Sequence, residues 1–237
     1  LSLGQARAPA KGGGVNHIPE REQFGRSWFR GAIQGQDLEE LRDICNIGTK
    51  PSARLSPQGG LFKRLGAHRF LSDLRGYWPD LIPTRLLCFD KSESTTWSLP
   101  WHQDRIIAVQ DRVDLPGFTN WSRKGAVWHC EPPAELLRQM LFLRIHLDEN
   151  TLENGAMEIA PGSHKLGPVP SQDVPELMAD RKTEICLSAP GDILVLSMLT
   201  LHRSRPASVP SRRRVLRLDL GPPALPEPLR WCIEHPQ

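Results

Sequence analysis

The chain has 237 residues, of which 39% are hydrophobic, so it can form one large domain with a packed core and is not wholly disordered. Its 30 Lys and Arg exceed its 27 Asp and Glu by only +3, which argues against nucleic acid as the main partner. The 22 prolines and 19 glycines predict many turns and loops and argue against a helical bundle.

The five cysteines are widely scattered, and none belongs to a CxxC pair. This distribution is typical of buried thiols in a reducing compartment rather than of a disulfide framework or a zinc site. No apolar run is long enough to span a bilayer, and the first residues lack the apolar core of a signal peptide. We therefore expect a cytoplasmic protein that has no membrane partner.

Residues 1–20 are predicted to form a flexible N-terminal tail, because they lack apolar periodicity and contain a run of glycines. Residues 21–237 are predicted to form a single domain. Within it, residues 37–44 have the spacing of an amphipathic helix with its leucines on one side. Asp37 is the expected N-cap of this helix, because Glu40 follows three residues later.

The rest of the chain alternates short apolar strands with turns, such as Asn154-Gly155 and Pro190-Gly191-Asp192. Residues 111–132 are the exception, since their Gly, Pro and Trp content predicts a long loop. The regular spacing of the short strands and turns predicts a mainly β fold with flanking helices, either a sandwich or a double-sheet barrel. The expected strands are 84–89, 105–109, 141–147, 156–160, 183–187, 193–197, 199–203 and 213–220, with helices at 68–74 and 133–140.

His102 and Asp104 are separated by one residue, so on an extended segment both side chains point the same way and can reach one metal ion. Gln103 between them points the opposite way and is expected either to support the loop or to pack against the neighbouring strand. A second histidine, with His202 as the candidate, would complete a facial triad that leaves positions open on Fe(II). Taken alone, the pair is more often two polar residues on a surface strand, and a lone histidine such as His202 is more often a satisfied core residue.

The order and spacing of these motifs resemble those of the phytanoyl-CoA dioxygenase family of Fe(II)/2-oxoglutarate-dependent oxygenases. The resemblance extends over residues 84–220, which is more than half of the chain. It is carried by Trp101-His102-Gln103-Asp104, Leu147-Asp148 with Asn154-Gly155, Pro161-Gly162-Ser163-His164, Pro190-Gly191-Asp192, His202-x-Ser204, and an arginine 11 residues after His202.

This resemblance implies a double-stranded β-helix, also called a jelly-roll or cupin-like core. It implies that His102, Asp104 and His202 are the Fe(II) ligands and catalytic residues, and that Arg213 and Ser204 hold the distal carboxylate of 2-oxoglutarate. The implied activity is hydroxylation of an unactivated C–H bond of a small molecule by O2, with release of succinate and CO2. Ascorbate is the expected reductant in vitro.

Two alternatives stay open at this point. Related enzymes use the same cofactor chemistry for desaturation, epoxidation or cyclisation in natural-product biosynthesis. A metal-binding cupin-like protein without catalysis belongs to a different class of function. Asp104 argues against a halogenase, because halogenases of this type replace the carboxylate ligand with a small residue.

Arg213 is the middle one of three consecutive arginines. Strand alternation is expected to turn Arg212 and Arg214 away from it, towards solvent or acidic neighbours. A shift of the register by one residue would exchange these roles.

Two stretches are candidates for substrate binding. On the strand 141–147, Arg144 and His146 share a polar face that either lines the barrel mouth or points outwards to solvent. If it lines the mouth, the arginine favours an anionic substrate such as a carboxylate. Residues 111–140 form either a lid over the pocket or a surface insertion. The candidate residues of this stretch are Trp121, Lys124 and His129.

Overall fold

The computed structural model of the protein describes residues 17–48, 50–55, 65, 69–91, 98–209 and 211–233. Within these residues, no helix has the length and apolar character that crossing a bilayer requires. The five cysteines are buried free thiols, as the sequence predicts. The helices are α1 (His17–Phe24), α2 (Gly35–Ile44), α3 (Arg69–Tyr77), α4 (Ala134–Gln139) and α5 (Val174–Met178), and a 3-10 helix spans Ser163–Leu166.

Most of the fold consists of antiparallel strands, in agreement with the predicted jelly-roll. The strands are β1 (Arg26–Phe29), β2 (Ser52–Arg54), β3 (Ile82–Lys91), β4 (Leu99–His102), β5 (Ile107–Val109), β6 (Thr119–Lys124), β7 (Val127–Glu131), β8 (Leu141–His146), β9 (Met157–Ile159), β10 (Glu184–Ile185), β11 (Ile193–Ser197), β12 (His202–Ser204) and β13 (Arg213–Gly221).

Three sheets arise from these strands. The large sheet has the order β1-β11-β8-β13-β3-β2, the small sheet the order β10-β9-β12-β4, and the third sheet the order β5-β7-β6. The strand 193–197 has the predicted bounds, and the strand at 213–220 extends by one residue to Gly221. The other predicted strands differ from the observed ends by a few residues, as is usual where pairing with a distant strand decides the boundary. Strands β1, β2, β4, β6 and β7 were not predicted.

The central strands β8, β11 and β13 of the large sheet are buried on both of their faces. On one face, Leu143 and Ile145 pack against Leu41 of α2 and residues of α3. On the other face, Phe142 and the leucines of β11 pack against β9 of the small sheet. Burying each such side chain contributes about 1.5–3 kcal/mol. The polar face expected on β8 is therefore not exposed to bulk solvent, and His146 is fully buried.

Two N-terminal expectations are corrected. Residues 17–20 begin helix α1 rather than ending a tail, and residues 1–16 lie outside the described part of the chain. Helix α2 begins at Gly35 with Gln34 at the N-cap, so Asp37 is not the cap. Asp37 lies inside the first turn, where its negative charge interacts favourably with the helix dipole.

The expected long loop at 111–132 contains a β-hairpin. Strands β6 and β7 pair with each other around Gly125, which adopts a positive φ of 62°, and β7 also pairs with β5. Trp121 and Trp128 stack edge to face across the hairpin, with ring centroids 6.4 Å apart. The sequence of β6 is polar except for Trp121 and has no apolar alternation, which explains why the sequence indicated a loop.

Candidate functional site

Strand pairing brings His102 and His202 together. In the small sheet β4 and β12 are antiparallel, and His202 lies directly opposite His102, with ring centroids 4.3 Å apart. Asp104 lies just beyond the end of β4, and its Oδ2 is 3.2 Å from Nε2 of His202. One ligand atom from each of the three side chains lies within 4.8 Å of the other two. This spacing fits one metal ion held by two imidazoles and a carboxylate.

Backbone carbonyls orient both imidazoles. The Nδ1 atom of His102 lies 2.7 Å from the carbonyl oxygen of Pro100, and Nδ1 of His202 lies 2.9 Å from that of Thr200. Because a carbonyl oxygen only accepts, each Nδ1 carries the hydrogen and each Nε2 keeps its lone pair. Burial, assisted by His202, lowers the pKa of His102 and so favours the neutral form that binds metals.

Arg217 holds the carboxylate of the triad. Its Nη1 lies 2.5 Å from Oδ2 of Asp104, and its Nε donates to Oδ1 of Asp219 at 2.6 Å. Burial raises the pKa of Asp104, but Arg217 and His202 outweigh burial and hold it well below its usual range. Asp219 in turn pairs with Arg85 at 2.5 Å. The sequence analysis missed Arg217, although strand alternation places it on the same face of β13 as Arg213.

Arg213 is a buried cation with unused donors. It is 5% exposed, and its Nη1 donates to Oδ1 of Asn150 at 2.9 Å. Its Nε has no hydrogen-bond partner, and no acidic side chain forms an ion pair with it, among the residues that the structure describes. Burial lowers the pKa of Arg213 to about 10, so the group stays charged at neutral pH. An orphaned, buried guanidinium of this kind fits a carboxylate ligand.

Lys91 and Ser204 lie beside Arg213. In the pairing of β3 with β13, Lys91 is directly opposite Arg213. Its Nζ donates to Oγ of Ser204 at 3.0 Å and to the carbonyl of Arg205 at 2.8 Å. Burial, together with Arg213 and Arg144, lowers the pKa of Lys91 to about 7. Lys91 was not identified from the sequence, because it ends a strand that belongs to none of the recognised motifs.

These residues line a single cavity of about 240 Å³. Seven of the lining side chains that the structure describes are cationic, and Asp104 is the single acidic side chain in that lining. The positive lining suits anionic ligands. The lining residues are Arg54, Arg85, Leu87, Phe89, Lys91, Leu99, His102, Asp104, Arg144, Met157, His202, Arg203, Ser204, Arg213 and Arg217.

The two residues predicted on β8 have different surroundings. Arg144 lines the cavity, with its guanidinium 5.8 Å from the ring centroid of Phe89. Burial, together with Arg213, lowers the pKa of Arg144 to about 9. His146 is not part of the cavity lining, and its ring stacks on Trp28 at a centroid distance of 5.8 Å. The strand thus contributes one residue to the site.

The three residues predicted in the 111–140 stretch lie on the β6–β7 hairpin, outside the cavity lining. Trp121 donates its Nε1 hydrogen to the carbonyl of Phe118, and Lys124 is exposed. His129 is buried, and its Nε2 contacts Nη1 of Arg54, which does line the cavity. Of the three, His129 is connected to the cavity, through that arginine.

The neighbours of Arg213 turn away from it, as strand alternation predicts. Arg212 pairs with Asp90 at 2.7 Å, and Arg214 pairs with Asp148 at 2.8 Å. These ion pairs lie outside the cavity lining and fix the register of β13. The predicted outward orientation of Arg212 and Arg214 is confirmed, and Arg213 faces the cavity.

Gln103 supports the ligand loop, as expected from its position between His102 and Asp104. Its Nε2 donates to the carbonyls of Gly167 and Leu199, both at 2.8 Å. Its Oε1 accepts from the backbone N–H of Val169 at 2.8 Å. The side chain therefore ties the loop to two distant segments.

The comparison with known proteins agrees with this geometry. The family model described as phytanoyl-CoA dioxygenase (PhyH) matches residues 65–215, more than half of the chain. Dioxygenase lolE1 of Epichloe uncinata is 34% identical over 115 residues, which cover 46% of this chain and 43% of lolE1. The chain thus spans less than half the length of that curated relative.

Solved structures show the same fold at low sequence identity. AviO1 from Streptomyces viridochromogenes Tue57 has a TM-score of 0.61 and 19% identity, covering 92% of this chain and 99% of AviO1. HygX from Streptomyces hygroscopicus, solved with nickel and 2-oxoglutarate bound, has a TM-score of 0.59 and 16% identity. That match covers 88% of this chain and 87% of HygX. From its family match and its His-Asp-His site, the chain belongs to the phytanoyl-CoA dioxygenase family of Fe(II)/2-oxoglutarate-dependent oxygenases.

Proposed function

We propose that this protein hydroxylates an unactivated C–H bond of a small molecule, using Fe(II), 2-oxoglutarate and O2 and releasing succinate and CO2. One observation carries the proposal. The three convergent side chains His102, Asp104 and His202 and the orphaned cation Arg213 line the same cavity. A metal site next to a buried carboxylate receptor fits a metal ion and a dicarboxylate co-substrate together.

In this proposal, His102, Asp104 and His202 hold Fe(II). When bound, iron with 2-oxoglutarate supplies the oxidising chemistry, while the protein orients the groups around it. The backbone carbonyls that fix each Nδ1 hydrogen keep both Nε2 lone pairs directed at the metal. Arg217 keeps Asp104 ionised and holds its carboxylate in place.

The distal carboxylate of 2-oxoglutarate is assigned to Arg213 and Ser204, with Lys91 beside them. The three side chains form one donor cluster, since Lys91 contacts Ser204 and lies opposite Arg213. The Nε–H of Arg213 has no acceptor among the described residues. The fork-shaped guanidinium therefore keeps a donor for a bound carboxylate. A carboxylate here would offset the positive charge that lowers the pKa of Lys91.

Among the residues proposed for substrate binding, Arg144 lines the cavity and keeps that role. It supports the expectation of an anionic substrate, because it adds a positive charge near the metal ligands. His129 contributes indirectly, through its contact with Arg54. His146, Trp121 and Lys124 do not line the cavity and have no role in the proposal.

The proposal is tested by incubating the purified protein with Fe(II), ascorbate, 2-oxoglutarate and a panel of small molecules under air. We expect succinate to form in proportion to product, and the product mass to increase by one oxygen atom. Loss of two hydrogens instead would point to desaturation or ring closure. A protein that never forms succinate and does not bind 2-oxoglutarate would contradict the enzyme assignment.

A further inference from the structure

The register of β3 with β13 places charged residues at both ends of the cavity. Arg213 lies opposite Lys91 at one end, and Asp219 lies opposite Arg85 at the other. Arg217, which contacts the metal-ligand carboxylate, lies between them on β13. At about 3.3 Å per residue, the two ends are about 20 Å apart along the strands. The metal site is therefore flanked by two separate groups of cations.

The end formed by Arg213 and Lys91 is assigned to 2-oxoglutarate. A five-carbon dicarboxylate that is bound to the metal and to Arg213 extends away from Arg85. It cannot also neutralise the positive charge at the opposite end of the cavity. That end therefore needs a different ligand.

At the opposite end, acidic residues offset only part of the charge. Arg85 pairs with Asp219 through contacts of 2.6 and 2.5 Å, and Asp219 is shared with Arg217. Arg54 lines the same cavity at the level of Arg217 and is close enough to Arg85 for the two positive charges to repel each other. Within the described ranges no acidic side chain forms an ion pair with Arg54. Arg85 and Arg217 thus share Asp219, and Arg217 also pairs with Asp104, whereas Arg54 keeps its full charge.

Arg54 is accessible to a ligand. It ends the edge strand β2, where it pairs with Leu87 of β3, and its side chain is exposed. Its Nη1 contacts Nε2 of His129. Burial, together with Arg54 and Arg85, lowers the pKa of His129 to about 4, so this imidazole is neutral at physiological pH. The guanidinium of Arg54 therefore faces a neutral ring on one side and the cavity on the other.

We propose that Arg54, with Arg85 behind it, binds an oxyanionic group of the substrate, such as a carboxylate or a phosphate. This inference rests on the proposed function and names a substrate class for the same site. The apolar walls Leu87, Phe89 and Leu99 would contact the rest of the molecule.

Arg54 and Arg217 are at the same level of the large sheet, since both lie opposite Leu87. They are two strands apart, which corresponds to about 10 Å between their backbones. The arginine proposed for the anionic group therefore lies across the sheet from the arginine that holds the metal-ligand carboxylate.

Calorimetry with a redox-inert metal tests the site without turnover. Protein loaded with Ni(II) is first titrated with 2-oxoglutarate, which tests the proposed function independently. The loaded complex is then titrated with 3-phenylpropanoate, phenyl phosphate and the uncharged 3-phenylpropanamide. We expect both anions to bind at least about tenfold more tightly than the amide, as a charge-assisted hydrogen bond implies.

Arg54→Gln should weaken binding of both anions about tenfold and leave the amide unchanged. Arg123→Gln, an exposed arginine on β6 outside the cavity lining, is the matched control and should bind like the wild type. Arg54→Glu, which reverses the charge at the same exposed site, should abolish binding of the anions. Thermal unfolding of each variant shows whether the fold is kept.

Equal binding of the acid and the amide by the wild type would overturn the inference, and so would unchanged anion affinity in Arg54→Gln. Anions that compete with 2-oxoglutarate would belong to the Arg213 end and would also overturn it. If 2-oxoglutarate binds but no anion does, this inference fails and the proposed function stands. If 2-oxoglutarate itself does not bind, the proposed function fails.

Discussion

The Nη1 atom of Arg217 lies 2.5 Å from Oδ2 of Asp104, so the carboxylate of the metal site is held by a buried guanidinium. The same arginine also binds Asp219, which anchors it to the sheet. The position of Asp104 therefore depends on a residue more than a hundred positions later in the chain. This contact is the reason that Arg217 should affect metal binding without touching the metal.

Arg217→Gln should weaken metal binding about 10–100-fold, because residues that orient metal ligands typically contribute that much. Calorimetric titration with Co(II) measures the loss directly. Arg217→Lys keeps the positive charge and should recover part of the affinity. An unchanged Co(II) affinity in both variants would show that Asp104 keeps its position without this contact.

His102→Ala should lose most of its metal affinity, because one of three protein ligands is removed from the site. Equilibrium dialysis against Co(II) measures the remaining binding. His164→Asn is the control, since His164 contacts the carbonyl of Glu22 and does not line the cavity. A His102→Ala protein that retains full metal affinity would refute the ligand assignment.

Arg213→Ala should weaken 2-oxoglutarate binding by about 2–3 kcal/mol, or roughly 30–150-fold, because a buried charged donor is lost. Metal affinity should stay the same, since Arg213 is not a ligand. Arg212→Ala and Arg214→Ala are matched controls, because their side chains pair with Asp90 and Asp148 outside the cavity. If either control loses affinity for 2-oxoglutarate and Arg213→Ala does not, the assignment of 2-oxoglutarate binding to Arg213 is wrong.

Binding of 2-oxoglutarate should depend on pH through Lys91. Burial, with Arg213 and Arg144, lowers the pKa of this lysine to about 7, so about half of it is neutral at that pH. A bound carboxylate favours the charged form, so binding should take up a proton. The affinity should then decrease as the pH rises from about 7 to about 9.

Calorimetry in buffers of different ionisation enthalpy measures this proton uptake. Lys91→Met should bind 2-oxoglutarate more weakly and lose the pH dependence over the same interval. A wild-type affinity that is constant across the interval would contradict the assigned position of the carboxylate.

Gly191→Ala should destabilise the fold by at least about 2 kcal/mol. Gly191 has a φ of +85°, and a Cβ at this position would lie 1.9 Å from the carbonyl oxygen of Ile33. Gly76→Ala is the matched control, because nothing lies within 4 Å of its Cβ position in helix α3. The control should be neutral or stabilising by up to about 1 kcal/mol in chemical denaturation. Equal stability of the two variants would contradict the packing at Gly191.

The sequence was sufficient to predict the parts of the site that depend on local spacing. His102 and Asp104 are two residues apart, and Arg213 follows His202 by eleven. The family resemblance that this spacing carries predicts the roles of all four. Strand alternation likewise predicts that Arg212 turns outwards. The spacing of short strands and turns predicts a sandwich or a double-sheet barrel, and the family resemblance implies the jelly-roll that the structure confirms.

Lys91 and Arg217 could not be identified in this way, because their roles depend on which strand lies opposite which. Lys91 approaches the site only because β3 pairs with β13 in the observed register. His146 was expected to lie at the barrel mouth or in solvent, because a polar side chain in a strand suggests a solvent-exposed face. Here the face is buried between the two sheets, and Trp28 covers the imidazole.

Strand β2, which ends at Arg54, has a single hydrogen-bonded neighbour within the large sheet. Strand β13, which carries Arg213 and Arg217, is instead enclosed between β8 and β3. Substitutions on the edge strand therefore disturb few native contacts, whereas substitutions on the enclosed strand disturb many. Substrate preference can thus evolve, or be engineered by saturation mutagenesis at position 54, while the oxidising machinery is inherited unchanged.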